Sequence, residues 1–234
     1  MAATLVLVFL LLIPMSTTAA SSSGVSFHCR NTATNTAGGR RFDEEVTADY
    51  ATQVMDQAST NAWRIFRQES GRERRPLHSL TLTVAEQVRG GVAIASTRNG
   101  DISLNAVHLA GYRETLRNEV AGLLHQEVAR VWANDGEGTA NPRLLDGIAE
   151  LARLRAGHAP STWAKAGEGS RWDQARSGVT AHFLDYLDDR RPGLVARLNS
   201  ALRGPAPEGD DLFRHVTGMS TEDLWNEYKA AFAM

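Results

Sequence analysis

Five consecutive residues, Gln126, Glu127, Val128, Ala129 and Arg130, hold the most concentrated chemistry in this sequence. They lie within Leu123 to Asn134, LLHQEVARVWAN, whose apolar residues recur at helical spacing. On a helix, positions 126 and 130 stand one turn apart on one face. Two side chains grip a metal from that geometry, while an acid beside the first acts as general base. Glu127 occupies the base position. Gln126 and Arg130 occupy the gripping positions with a primary amide and a guanidinium that stays protonated, and neither is a workable zinc ligand. Two further acids, Asp146 and Glu150, stand one turn apart in a later helical stretch among Leu144, Ile148 and Leu151. That setting allows a cleft-facing role beside the ordinary solvated one.

The frame QEVAR is a commonplace helix face when taken alone, and its flanks give it meaning. Val120 to Leu124 precede it and Val131 to Gly136 follow. Then come Leu144 to Leu151, Ala159 to Trp163, and Arg171, Trp172, Asp173 and Gln174. With VTADYATQVMDQAST at Val46 to Thr60 and VTAHFLDYLDD at Val179 to Asp189, this order resembles the plant basic secretory protein family, zincin-like peptidases of plants and bacteria. The resemblance runs from about Phe27 to Phe232.

In that family the helix reads close to YHEMTHVWQWNG, so Gln126 and Arg130 stand where the two histidines of HExxH would be. The resemblance places Glu127 at the general-base position and Asp146 at that of the third metal ligand. Glu150 falls where an Asp would support the first histidine. The implied fold is α+β and zincin-like: a small twisted N-terminal sheet packed on helices, then a mostly helical C-terminal half. Zinc is the family's cofactor, and the replaced ligands lead us to expect none here.

Composition sets the outer bounds. The chain has 234 residues, 42% of them hydrophobic, which suits one domain of about 21–234 with a cleft between halves of about 21–135 and 136–234. Leu5 to Ile13 is an uninterrupted apolar run too short for a bilayer, and Thr18, Ala19 and Ala20 offer a small-residue cleavage site. Residues 1–20 therefore read as a signal peptide, and the mature chain as secreted, apoplastic by the resemblance. The single Cys29 excludes an internal disulfide and reads as a buried thiol. A formal charge of −2 gives no reason to expect binding to nucleic acid or to anionic lipid. The local cluster Arg64, Arg67, Arg72, Arg74 and Arg75 reads as a solvated helix end and loop.

The elements that must position the central helix follow from periodicity. Val25 to Arg30 reads as a strand, and Asp43 as the start of a helix running to about Arg67. Leu80, Leu82 and Val84 alternate as a half-buried strand. Val92 to Ser96 and Ile102 to Asn105 form a hairpin around Asn99 and Gly100. The central helix spans Tyr112 to about Asn134, and Arg143 to Leu154 carries the two later acids. Further helices are expected over Trp172 to Leu187, Pro192 to Leu202, Asp210 to Val216 and Thr221 to Phe232, the last opened by Ser220 and Asp223.

Three functions compete. The first is a catalytically inactive member that binds a peptide, glycan or protein in the cleft as a monomer, with a defence-related role taken from the resemblance. The alternative is an active zinc endopeptidase with a non-standard ligand set recruiting His125, His108, His158 or His182. The last is a metal-free hydrolase pairing Glu127 with Asp146 or Glu150. Glu127 stands at a vestigial general-base position, and Glu150 and His125 are the cleft candidates.

Overall fold

The computed structural model describes residues 17–20, 24–86, 93–207 and 211–233. The sequence reading of Leu5 to Ile13 as a signal-peptide core falls outside them, as do Val92 and Asp210. The strands are β1 (Thr17–Ala20), β2 (Ser26–Asn31), β3 (Ser79–Ala85), β4 (Ala95–Arg98) and β5 (Asp101–Asn105), in the order β1-β2-β3-β5-β4. Thr17 to Ala20 pair antiparallel with β2, so a cleavage after Ala20 would leave the other strands joined. β2, β3 and β5 run parallel, and β4 folds back on β5 as the outer strand. Leu80, Leu82 and Val84 are buried along β3. This is the alternation of a strand with one face on the core.

The helices are α1 (Ala37–Arg41), α2 (Ala48–Ile65), α3 (Ala106–Gly111), α4 (Leu116–Trp132), α5 (Pro142–Arg155), α6 (Val179–Arg190), α7 (Leu194–Ala201), α8 (Asp211–Thr217) and α9 (Thr221–Ala231). The fold is therefore α+β. α4 lies at the centre, against α2 on one side and α5 on the other, with β4 alongside. Most of its residues are buried. Trp132 anchors its end: the indole donates to Ser59 Oγ at 3.1 Å and packs edge-on to Trp63 at 5.1 Å. Beyond it, Asn134 Nδ2 donates to the Asn199 carbonyl while its own N–H donates to Asn199 Oδ1, each at 2.8 Å. Asn141 then caps α5, accepting from the Arg143 N–H at 2.8 Å, with Pro142 in the first turn.

Several expected boundaries move. The central helix begins at Leu116, because Tyr112 is extended and caps the separate α3, and Thr115 is the N-cap. Phe42 to Val46 form a single π-helical turn that ends at Thr47, φ +75°, so the long helix starts at Ala48 rather than at Asp43. Trp172 to Gly178 are not helical: Gly178, at φ +90°, turns the chain into α6. Pro192 precedes the left-handed Gly193 that opens α7. The expected strand at Val92 to Ser96 is displaced to Ala95–Arg98. Ser220 caps α9, accepting from the Asp223 N–H at 3.1 Å, as its spacing suggested.

α5 and α6 meet where Gly147 faces the side chain of Thr180, and a Cβ on Gly147 would overlap Thr180 Cβ and Cγ2. Thr180 is fixed there by its hydroxyl, which donates to the Trp172 carbonyl at 2.6 Å. Gly147→Ala should therefore destabilise the fold by about 1–3 kcal/mol through overpacking. The check is the urea midpoint of the purified variant against that of the native protein.

Candidate functional site

Helical spacing puts Glu119, Leu123, Gln126, Glu127 and Arg130 along one face of α4, and all five line a cleft of about 540 Å³. The opposite wall is Ile94 to Thr97, along and just before the outer strand β4. α5 contributes Glu150 and Arg153, and Pro160 to Trp163 with Ser177 close the third side. Sheet edge, central helix and following helix thus converge on one polar groove.

Arg130 sits between two acids. Its Nη1 lies 2.9 Å from Asp146 Oδ1, and its Nε donates to Glu127 Oε1 at 3.4 Å. Glu127 is buried, and its other oxygen accepts from Thr97 Oγ1 at 2.7 Å. The carboxylate is thereby held between helix and sheet edge. Asp146 also meets Arg143 Nη1 at 3.4 Å. Glu150 turns elsewhere, accepting from the Gly178 N–H at 2.9 Å, and so fixes the start of α6. Arg130 therefore joins α4 to α5 through Asp146 and not through Glu150.

A second ionic tie was not anticipated from the sequence. Arg153 Nη2 donates to Glu119 Oε2 at 2.6 Å, with side chains only 4% and 6% exposed, well below the 29% and 38% of Arg130 and Asp146. His108 Nε2 lies 3.2 Å from the other Glu119 oxygen, and Arg153 Nε donates to the His158 carbonyl at 2.9 Å. Burial pushes the Glu119 carboxyl up, but the His108 hydrogen bond and the Arg153 charge outweigh it and leave its pKa below the usual range. The tie needs Gly122, where an added Cβ would stand 2.5 Å from Arg153 Nε. A glycine inside a buried helix is the one sequence signal that could have marked this close approach, and it went unread.

Residues 22–228 match the family model BSP, peptidase of plants and bacteria. The chain belongs to that family. A comparison with curated proteins gives no match.

Zinc in such a family would need donors that this cleft does not offer. Two of the positions where the resemblance expects ligands are filled by the Gln126 amide and the Arg130 guanidinium. The third, Asp146, faces that guanidinium at 2.9 Å. Among the described residues, no group of three His, Cys, Asp or Glu side chains could hold a metal. Of the histidines considered as substitutes, His108 lines the cleft but is engaged by Glu119, and His125, His158 and His182 are not among the lining residues. The donor set does not fit zinc.

His125 was expected at the cleft and instead turns away from it. It is buried, its ring is stacked on His158 at 5.6 Å, and its Nδ1 has no hydrogen-bond partner. One helical position separates it from Gln126, a rotation of about 100°. Burial, then the nearby His158, pushes the His125 pKa down to about 4 from an ordinary 6.5. A depressed histidine binds its proton more readily in the unfolded chain. Its contribution to stability is therefore complete above pH 6.5 and is lost as pH falls toward 4.

Relative to His125→Leu, the native protein should lose on the order of 3 kcal/mol between pH 7 and pH 4. Urea unfolding of both proteins across that range is the check, and parallel curves would remove His125 as the cause. Arg130→Ala should cost about 1–2 kcal/mol, less than a fully buried pair because Arg130 and Asp146 are partly solvated, yet measurable because Glu127 loses its cation. A chemical-denaturation series at pH 7 measures it.

Proposed function

We propose that this chain is a secreted, zincin-like member of its family that has exchanged catalysis for binding, with a guanidinium standing where the metal would be. The observation that carries the reading is Arg130 between Glu127 and Asp146. A permanent cation there satisfies the acids that a metal would otherwise hold, and it opposes the approach of Zn²⁺. Glu127, held by Thr97 and Arg130, keeps the general-base position without a polarised water to act on. The ligand is an extended peptide laid along β4. That strand ends the sheet, and its residues line the cleft, so its outer backbone groups are placed for strand addition. A defence-related role is consistent with this reading and adds no residue to it.

Metal analysis of the purified protein, joined to casein cleavage with and without added zinc, tests the proposal. The expected result is no stoichiometric zinc and no chelator-sensitive cleavage. Zinc at one equivalent with such cleavage would restore the endopeptidase reading. A constructive test complements this. Gln126→His with Arg130→His, supplemented if needed by Asp146→Glu, should create zinc binding absent from the native protein, because helix spacing and neighbouring acids remain. Calorimetric titration of the folded variants measures the gain, and no gain even in the triple variant would show that QEVAR is misaligned to HExxH.

A further inference from the structure

The groove does not stop at Arg130. Thr97 and Arg130 are shared with a second lobe of about 520 Å³, lined also by Arg75, Pro76, Leu77, Arg98, Asn99, Gly100, Val131 and Asp135. Arg75 is the last member of the sequence's arginine cluster and was expected to be merely solvated. Its neighbours are engaged elsewhere: Arg74 stacks 3.7 Å over the Trp63 ring, and the guanidinium of Arg67 packs against Gly193. Arg75 instead donates from Nη1 to the Val131 carbonyl at 3.3 Å, at the end of α4, and remains exposed at the lobe. Arg98, at the end of β4, is also exposed, and among the described residues no carboxylate lies within ion-pair distance of either. Arg130 is already taken by Glu127 and Asp146. The lobe thus presents two available guanidiniums, with Asp135 as its one acid.

We propose that this lobe receives the acidic side chain, Asp or Glu, of the extended peptide bound along β4, an inference that rests on the peptide-binding reading above. Guanidinium forks match a carboxylate in shape and charge. Two available guanidiniums against Asp135 leave the lobe one net positive charge, which a single carboxylate neutralises. The lobe has no aromatic side chain, so the flat apolar platform that would hold a sugar ring is missing. The strand supplies the reach: a peptide in register with Ala95 to Arg98 passes Thr97 and delivers alternate side chains to the lobe side.

The test is selection from a randomised octapeptide library on the immobilised protein and on Arg75→Gln/Arg98→Gln. Both arginines are exposed, so the variant should keep the fold, and Arg98→Lys serves as the conservative control. Native protein should select peptides enriched in Asp or Glu at one position, and replacing that residue by its amide in a selected peptide should weaken binding about tenfold. The difference should shrink at high salt and vanish in the double variant, with partial retention in Arg98→Lys. Peptides selected without acidic enrichment, or enrichment that persists in the double variant, would overturn the lobe assignment and leave the groove reading standing. Failure to select any peptide would overturn both, as would binding confined to an acidic glycan probe such as an oligogalacturonate.

Discussion

Two guanidinium ties of opposite sense hold the central helix to its neighbour, and the cleft depends on them. Arg130 of α4 reaches Asp146 of α5, while Arg153 of α5 reaches Glu119 of α4. In an antiparallel pair of helices these contacts fall at opposite ends of the shared face. They fix the helices against sliding and leave the groove between them open toward β4. The apolar contact between α4 and α5 would tolerate a shift in register far better than these directional pairs do.

The ties differ in kind. Glu119 and Arg153 are nearly dry, and their desolvation is offset only because other polar groups complete the set: His108 on one carboxylate oxygen and the His158 carbonyl on the guanidinium. Breaking such a pair strands a buried charge, so its contribution is specificity of packing as much as stability. Arg130 and Asp146 are partly solvated and screened, and their contribution is smaller. What Arg130 adds is a nearby cation for the buried Glu127 carboxylate.

Much of the fold was legible because its signals are periodic. The alternation of Leu80, Leu82 and Val84 and the Ser220 cap each state a local preference that tertiary contacts reinforce. The boundaries that moved did so where backbone conformation overrides pattern, as at the left-handed Thr47, Gly178 and Gly193. The site was legible in its α4 face, which helix spacing fixes, while the Arg130–Asp146 contact rests on the need of the acids for a cation. The Glu119–Arg153 tie was not, because it depends on how two helices cross and on a notch at Gly122 whose occupant lies 31 residues further along the chain. His125 was misplaced because adjacency in sequence is not adjacency on a helix: its ring belongs to the packed side of α4.

The exchange of a metal for a guanidinium, under the proposed reading, also changes what the groove can recognise. A divalent ion would place two positive charges at one point and polarise whatever carbonyl touched it. Arg130 places one delocalised charge there, and Arg143 at 3.4 Å from the far side of Asp146 supplies a second without entering the groove. Asp146 is then balanced from two sides, while Glu150 in the groove wall is met by the Gly178 N–H rather than by a cation. Past Arg130, Arg75 and Arg98 are exposed and, among the described residues, carry no ion pair. A groove whose Glu127 is tied to Arg130 and Thr97 and whose far end carries two exposed guanidiniums is suited, under the proposed reading, to orienting a ligand rather than cleaving it.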